Sequence, residues 1–483
     1  MISIFSVLLA CGPKETPPAV AQTEPSRAYT EPPAPLEAPV FQMPELQSAS
    51  LSNGIPISLS INSEVPLVYV WVTFNSGSWM DSSDKMGLAS AAMQMLDEGA
   101  GGLSAVEISA QQKKLASSIS AGSGLDEAYI QLTTLKKNID PSVKLMSTVL
   151  LSPDVPESEW NKLRKKQIQN IKAQEQDPSQ ISSRIWNRRN YGSNYAGRFP
   201  TEDTLNDIGV DDIRDWIRNE LAANRAQIWV GGDTTMEEIQ PILEEHFGSW
   251  ATQAAEMPSV PTADIIQDPE STEIFLHDVP DSAQSIIRMG HAVGPKVEEK
   301  TTQLYLANMA VGGLFTARIN MNLREDKGWT YGARSYISFN HLPGIWTVRT
   351  SVVTEHTAAA VQEMVKELRS ARSDGAKPIL EAELQASKGY LLGTFPLQFE
   401  NPNYLLNQSI MIDRYSLPKD WLVSYSDRIR SVGLEQAQLA WDEQIDPDRM
   451  QIVIVGARDQ IEENLQNLGY SVTLVDANGS PIE

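Results

Sequence analysis

The chain has 483 residues, of which 41% are hydrophobic and 21% are charged, and its formal net charge is −23. This length predicts at least two domains, and the composition is typical of a folded protein and excludes a disordered one. An excess of 62 acidic over 39 basic residues repels phosphate backbones, so we expect no nucleic-acid partner.

The single cysteine, Cys11, ends the apolar run Ile2–Ala10. One cysteine rules out an intramolecular disulfide and a cysteine-based metal site. A short apolar run that closes on Leu-x-Ala-Cys resembles a bacterial lipobox, in which the cysteine is lipidated and becomes the mature N-terminus. We therefore expect residues 1–11 to be a lipoprotein signal. The alternative is a chance cysteine after a short apolar start, because residues 1–10 lack the basic residues of an ordinary signal peptide.

Residues 12–44 contain nine prolines among alanine, glutamate and threonine. Such a segment cannot bury enough surface to fold, and it predicts a stiff, disordered tether. A lipid anchor followed by a tether predicts a body held at a membrane of the bacterial cell envelope. Gly12 after the cysteine favours the outer membrane, with the protein facing the periplasm. No later segment is apolar enough to span a bilayer.

Beyond residue 44 the pattern alternates between strands and helices. Asn53-Gly54 within Leu51–Ile61 predicts a hairpin turn. The elements that follow are predicted as a buried strand at Val65–Phe74, helices at Gly87–Leu96 and Ala105–Leu115, and strands at Ser117–Ala121 and Ala128–Leu135.

Two short sequence patterns recur at a constant distance along the chain. Asp177-Pro178 returns as Asn401-Pro402, and Arg225–Ile228 returns as Arg449–Ile452, both after 224 residues. A constant offset over this span predicts two related domains of similar size.

The most informative segment is Gly312–Ser335. Two glycines open it, a helix is predicted over Thr316–Asp326, and Lys327-Gly328 is typical of a helix end. A strand is predicted to follow, so that Arg324 and Tyr331 project towards a common point. A guanidinium and a phenol together suit a peptide carbonyl that gains negative charge. The alternative is a solvated arginine and a packed tyrosine.

The order of glycine pair, helix, Leu-Arg-Glu, Lys-Gly and aromatic-x-Tyr in this segment is similar to the second-domain signature of the insulinase and mitochondrial-processing-peptidase family. The resemblance implies an α+β fold of two homologous domains, each a mainly antiparallel sheet packed against helices, that form half of a clam-like chamber. It implies a first peptidase-like domain at 45–252, a linker at 253–268, and a second domain at 269–483 that carries Arg324 and Tyr331.

The zinc motif of that family, His-x-x-Glu-His followed by a later glutamate, is degenerate here. Gly87–Ala89 and Met95-Leu96 resemble its flanks, and all five histidines lie at residue 246 or later. Serine and glutamine are poor zinc ligands and methionine cannot take a proton, so we expect no metal in this chain. The degenerate metal and base positions are Ser90, Met93, Gln94 and Asn170.

The two acidic residues that follow, Asp97 and Glu98, have no histidine nearby in the sequence. We interpret them as solvated charges at the end of a helix rather than as zinc ligands.

Several members of the family work as pairs in which one subunit carries zinc and the other supplies an arginine and a tyrosine. The resemblance implies that this chain is the zinc-less subunit of a bacterial envelope peptidase. Arg324 is expected to bind the backbone of an extended peptide substrate, and Tyr331 to stabilise the oxyanion, with zinc held by a His-x-x-Glu-His-bearing partner in a hetero-oligomer. The alternative is a lipid-anchored pseudoenzyme that binds peptide or acts as a scaffold without any role in proteolysis. Retention of both side chains argues against a scaffold, which needs neither.

Overall fold

The computed structural model describes residues 44–251, 253–255, 269–294, 298–339 and 343–482. The predicted lipidation at Cys11, the signal, the tether up to residue 43 and most of the predicted linker lie outside the described residues. The described part consists of two halves, each with its own six-stranded sheet.

The first half is built on a sheet of order β1-β2-β8-β3-β7-β6, beside which β4 and β5 form a small ribbon. Its strands are β1 (Leu46–Ser50), β2 (Pro56–Ile61), β3 (Leu67–Phe74), β4 (Gly99–Ala100), β5 (Leu103–Ser104), β6 (Ser118–Ser123), β7 (Ala128–Leu135) and β8 (Ala226–Gly232). Its helices are α1 (Leu88–Gln94), α2 (Ala105–Lys114), α3 (Ile139–Leu151), α4 (Glu157–Gln174), α5 (Pro178–Tyr191), α6 (Glu202–Asn206), α7 (Val210–Glu220) and α8 (Met236–Phe247).

The hairpin turn and the buried strand predicted for this half are both present. Gly54 has a φ of +89°, and β1 pairs antiparallel with β2 across the turn. The first hairpin strand lies earlier than predicted, because the carbonyl of Leu51 accepts a hydrogen bond from Gly54 and closes the turn. β3 lies between β8 and β7, and every second residue from Val68 to Phe74 is fully buried in the core of this half.

The second half is built on a sheet of order β11-β12-β10-β13-β9-β14. Its strands are β9 (Glu273–Asp278), β10 (Gln284–Ala292), β11 (Thr330–Ser338), β12 (Ile345–Val353), β13 (Gln451–Gly456) and β14 (Ser471–Leu474). Its helices are α9 (Glu298–Asn308), α10 (Arg318–Asn320), α11 (Thr357–Ser370), α12 (Glu381–Gln398), α13 (Pro402–Arg414), α14 (Tyr425–Ser431), α15 (Leu434–Gln444) and α16 (Arg458–Gln466), with π-helical segments at Met309–Gly313 and Met321–Asp326. Within the described ranges, no helix has both the length and the apolarity needed to cross a bilayer.

The two sheets repeat one topology, which confirms the predicted α+β fold of two homologous sheet-and-helix halves. The order β2-β8-β3-β7-β6 in the first sheet corresponds to β9-β13-β10-β12-β11 in the second. The first pair of each series is parallel, and the other three pairs are antiparallel. The sheets differ at one edge, where β1 is antiparallel to β2 but β14 is parallel to β9.

The recurring dipeptides begin two helices, α5 and α13, each of which packs on the sheet of the other half. Asp177 caps α5 by accepting hydrogen bonds from two backbone N–H groups, and Asn401 caps α13 in the same way with one. Helix α5 of the first half packs on β10 and β13 of the second sheet. Helix α13 of the second half packs on β8 of the first sheet, where Leu406 contacts Trp229. Each sheet therefore has one face covered by a helix from the other half.

Candidate functional site

Helices α1, α4 and α5 line a cavity of about 410 Å³. Ser90 and Gln94 lie one turn apart on α1, and Gln94 Nε2 donates a hydrogen bond of 2.8 Å to Ser90 Oγ. Asn170 on α4 lines the same cavity. The fold thus brings together three of the four residues that were predicted at the metal and base positions of the family signature.

Met93, the fourth of these positions, has a different environment. Its side chain is fully buried in the core of the first half, and it is not among the residues that line the cavity. An apolar side chain at this point of α1 gains stability by packing against the sheet, which a carboxylate could not do without a large desolvation cost.

The donor set of the cavity does not suit zinc. Apart from the predicted positions, its polar lining consists of neutral amides and hydroxyls together with two arginines, namely Gln167, Gln174, Gln180, Ser183, Asn187, Arg184 and Arg198. The lining contains neither an imidazole nor a carboxylate. Zinc in proteins is held by thiolate, imidazole or carboxylate groups, so these residues do not fit the metal that the family fold implies.

The carboxylates that follow α1 do not line this cavity. Asp97 and Glu98 are half-buried, and burial raises the pKa of each carboxyl above its usual range. The interpretation of these residues as freely solvated charges was therefore wrong. Both residues lie between the end of α1 at Gln94 and the start of β4 at Gly99, and neither lines the cavity.

A buried acid that the sequence did not single out fixes the start of α1. The carboxylate of Asp81 accepts hydrogen bonds from the backbone N–H groups of Gly87 at 2.9 Å and Ala89 at 3.0 Å. Burial raises the pKa of Asp81 to about 6, against the lowering effect of these bonds and of Arg198. Asp81 thereby sets the position of the helix that carries Ser90 and Gln94.

Three potential metal ligands lie close together elsewhere in the first half. Asp140, Glu245 and His246 form the one such group among the described residues, and His246 Nε2 lies 2.9 Å from Asp140 Oδ1. The two acids are exposed, and none of the three lines the cavity. They are accounted for as a surface ion pair with a neighbouring acid.

The segment that carries Arg324 folds as predicted in outline, with a different helical geometry. The helix begins at Arg318 and continues from Met321 to Asp326 as a π-helix. Gly328, with a φ of +69°, ends it: its N–H donates to the Arg324 carbonyl at 3.1 Å, and Trp329 N–H donates to the Leu323 carbonyl at 3.0 Å. The first of these bonds is that of an αL C-cap, and the two together turn the chain back at once into β11.

Arg324 is one-third exposed and stacks against an aromatic ring. Its guanidinium carbon lies 4.4 Å from the centre of the Phe315 ring. Its Nη1 lies 3.2 Å from Glu325 Oε1 but makes no aligned hydrogen bond within the described residues. The guanidinium is thus oriented by the ring, and because Nη1 is buried, it is the other donors of the guanidinium that remain for a ligand.

Tyr331 lies in a β-bulge at the start of β11, which the sequence did not predict. The register with β12 shifts between Thr330 and Ala333, and the Tyr331 side chain is 92% exposed. Hydroxyl and amide groups hold the bulge: Thr330 Oγ1 accepts from Gly332 N–H, and Asn320 Oδ1 accepts from Ala333 N–H, both at 3.0 Å. A bulge fixed in this way directs one side chain out of the sheet.

The glycine pair brings the first π-helical segment into contact with β11. A Cβ atom at Gly312 would lie 2.3 Å from Ser335 Oγ, so no larger residue fits without a shift. Ser335 in turn donates a 2.6 Å hydrogen bond to the buried Asn308 Oδ1, which also accepts from Trp346 Nε1 at 2.7 Å. Because Gly312 has no side chain, β11, which carries Tyr331, can lie close to the first π-helical segment.

This fold and this segment define the class of two-domain metallopeptidase-like proteins. A family model described as Insulinase (Peptidase family M16) matches residues 58–198, and one described as Peptidase M16 inactive domain matches residues 207–390. The two matched ranges together make up about two thirds of the chain, and they agree with the motif of Gly312–Ser335. The chain belongs to the insulinase family and lacks the family's His-x-x-Glu-His motif.

Relatives of similar length support this assignment. The chain is 22% identical over 360 residues to the uncharacterized zinc protease YmxG of Bacillus subtilis, covering 74% of this chain and 85% of the relative. It is 20% identical over 390 residues to the non-peptidase homolog YmxG of Helicobacter pylori, covering 79% and 87%. A crystal structure of a peptidase M16 inactive domain from Pseudomonas fluorescens has the same fold, with a TM-score of 0.77, 20% identity, and coverage of 85% and 98%.

Proposed function

We propose that this chain is the zinc-less subunit of a two-subunit peptidase of the insulinase family. It binds an extended peptide and contributes Arg324 and Tyr331, while a partner with the His-x-x-Glu-His motif holds the zinc and the general base. The observation that carries the proposal is the 92% exposure of Tyr331 on a bulge that is fixed by internal hydrogen bonds.

The chemistry of the two side chains differs and is complementary. The phenol of Tyr331 is a donor for the oxyanion that forms when a peptide carbonyl is attacked. The guanidinium of Arg324 has several donors in one plane, which suits the substrate carbonyl beside the scissile bond. The αL C-cap at Gly328, which lies between them, keeps the helix end and the strand start in a fixed relation.

The lining of the cavity supports the proposal that this chain binds peptide while the partner holds the zinc. Its lining of amides and hydroxyls can bind peptide groups by hydrogen bonds but offers no zinc ligand. The name non-peptidase homolog, borne by one relative, is consistent with this. A pure scaffold would need neither Arg324 nor the exposed Tyr331.

We further propose that the pair works in the bacterial envelope, with this chain anchored through a lipid on Cys11 in the outer membrane and facing the periplasm. The support is the likeness of residues 8–11 to a lipobox and the proline-rich segment that follows. Radiolabelled palmitate is expected to label the native protein in cells and not the Cys11→Ala variant. Labelling that survives the substitution would remove this part of the proposal.

The test of the peptidase role uses the full chain, alone and together with a His-x-x-Glu-His-bearing family member encoded in the same genome. We expect the lone chain to contain no stoichiometric zinc and to cleave no unfolded peptide. We expect the pair to contain zinc and to cleave such peptides. In the pair, Arg324→Ala and Tyr331→Phe are each expected to lower kcat, because Tyr331 donates to the oxyanion and Arg324 positions the scissile bond by binding the carbonyl beside it.

Two substitutions serve as matched controls. Tyr390 on α12 is 53% exposed and Arg430 on α14 has a half-exposed side chain paired with Asp427. Tyr390→Phe and Arg430→Ala are expected to leave kcat unchanged. Zinc and activity in the lone chain would overturn the proposal, and a pair that is indifferent to the Arg324 and Tyr331 variants would favour a peptide-binding scaffold.

A further inference from the structure

Three arginines form a row across the second sheet. Arg288 on β10 is the direct cross-strand partner of Arg349 on β12, which is the direct partner of Arg334 on β11. Directly opposite residues of antiparallel strands share one face and have Cα atoms about 5 Å apart. Like charges in such positions destabilise a sheet, so the row requires an explanation beyond folding.

The hydrogen-bond partners of the row are neutral. Arg288 is 6% exposed, and it donates to Ser182 Oγ at 3.1 Å, to Tyr336 OH at 3.3 Å and to Ser183 Oγ. Arg349 is exposed and donates to Ser179 Oγ at 2.6 Å.

Among the described residues, no carboxylate neutralises the positive charge of these three arginines. Within the described ranges, no ion pair within the 4.0 Å limit involves Arg288, Arg334 or Arg349. Burial, with the neighbouring Arg349 adding to the effect, lowers the pKa of the Arg288 guanidinium.

Three other arginines of the described chain with largely buried side chains are paired with acids. Arg225 pairs with Glu220, Arg318 with Glu383, and Arg414 with Glu127. A chain with 62 acidic residues thus has many carboxylates available, yet none of those in the described ranges pairs with this row. Buried charges are normally compensated, which indicates that the compensating anion comes from outside the described chain.

The row continues into the cavity at the former metal position. Helix α5 offers Ser179, Ser182 and Ser183 to the arginines, and Ser183 also lines the cavity together with Arg198 and with Arg184, which is paired with Glu175 at 3.2 Å. The Nε atom of Arg198 is buried and has no hydrogen-bond partner within the described residues. A cationic surface therefore runs from the edge strand β11 to the cavity.

We propose that this surface, formed by Arg334, Arg349 and Arg288, binds carboxylate side chains of an extended peptide, so that the substrates or ligands of this chain are acidic peptides. The inference rests on the proposed function, because it gives the chemical class of the peptide held there. β11 is an edge strand, and Tyr331 precedes Arg334 on it by three residues. At a rise of about 3.3 Å per residue, an acidic side chain about three positions from the peptide bond beside Tyr331 would reach Arg334.

The test compares peptides that differ only in charge. A fluorescein-labelled peptide with several aspartates and glutamates is titrated with the full chain, and so is its isosteric partner with asparagines and glutamines, with fluorescence anisotropy as the readout. We expect the acidic peptide to bind about tenfold more tightly, which corresponds to roughly one charge-assisted contact or more. Its advantage should shrink in high salt, because the contacts at Arg334 and Arg349 are open to solvent.

Substitutions then locate the effect. Arg334→Gln and Arg349→Gln, both at exposed positions, are each expected to remove most of the preference for the acidic peptide while the amide peptide binds as before. The control Arg430→Gln is expected to retain the full preference. Near-UV circular dichroism of each variant checks that the fold is intact.

Three results would overturn the inference. Equal affinity for the acidic and amide peptides would do so, as would a preference that persists in both row variants. Binding of a single-stranded oligonucleotide of equal charge as tightly as the acidic peptide would show a general anion site instead. None of these results depends on how Arg324→Ala and Tyr331→Phe change the kcat of the reconstituted pair, so the proposed function is tested separately.

Discussion

Substitution of Gly312 by alanine tests the close contact between the helical segment and β11. The added Cβ would lie 2.3 Å from Ser335 Oγ and 2.9 Å from Ser335 Cβ. Either the strand or the helix must move, and in both cases the hydrogen bond from Ser335 to Asn308 is strained or broken.

The expected loss follows from three contributions. Overpacking of a well-packed core costs about 1–3 kcal/mol. The loss of the bond between Ser335 and Asn308 adds about 1 kcal/mol. The lower backbone entropy of alanine in a helical segment offsets about 0.5–1 kcal/mol. We therefore expect Gly312→Ala to lower the free energy of unfolding by about 2 kcal/mol.

The assay is unfolding in urea, monitored by tryptophan fluorescence. Trp346 reports directly on this contact because its Nε1 donates a hydrogen bond to Asn308. The matched control is Gly389→Ala on α12, where an added Cβ meets no atom within 4 Å. The control is expected to gain about 0.5–1 kcal/mol. A further substitution, Ser335→Gly, should relieve the overpacking in the Gly312→Ala background, but about 1 kcal/mol of the loss should remain because the hydrogen bond from Ser335 to Asn308 is not restored. If Gly312→Ala is as stable as the native chain, the proposed role of the glycine pair is wrong.

Two further predictions concern the first half. The pKa of Asp81 is raised to about 6 from an ordinary 3.8, so the folded state binds this proton more readily than the unfolded state. The stability of the native chain relative to Asp81→Asn should therefore increase as pH falls from 7.5 to 4.5, by about 2 kcal/mol, and a pH-independent difference in urea unfolding would contradict this. The variant Ser90→His/Gln94→His/Asn170→Glu should bind one zinc ion without gaining peptidase activity, because Met93 still occupies the base position. At zinc concentrations about 100 times Kd it should gain about 2.7 kcal/mol of stability, and a variant that gains none would show that these three positions do not converge.

The local features of the fold were predictable from the sequence because their causes are local. Asn53-Gly54 predicted the first turn, and Gly328 predicted the end of the helix, since both glycines adopt positive φ. The constant offset between Asp177-Pro178 and Asn401-Pro402 predicted two related halves, which the matching sheets confirm.

The features that escaped prediction depend on contacts between distant segments. The bulge at Tyr331 is held by Asn320 and by the register with β12, and neither has a signature in the residues of β11. The row of Arg288, Arg334 and Arg349 exists only once three strands are in register. The packing of α5 and α13 on the sheet of the other half was likewise not predicted, although the dipeptides Asp177-Pro178 and Asn401-Pro402 were recognised as a repeat.

The residues of the candidate site that could be predicted are those that align with the family signature. Ser90, Gln94 and Asn170 were predicted at the metal positions, and they line one cavity. That Met93 packs in the core could not be read from the helical pattern, because an apolar residue at this spacing is compatible with either face. The roles of Arg324 and Tyr331 stay predictions.

The most direct test of the central claim is the kcat of the reconstituted pair when this chain carries Tyr331→Phe. The substitution removes one hydroxyl from a fully solvated side chain, so it should alter neither folding nor assembly. We predict that kcat falls about 100-fold or more, with the zinc content of the pair unchanged, because one donor to the oxyanion is lost. An unchanged kcat would contradict the claim that this chain takes part in catalysis.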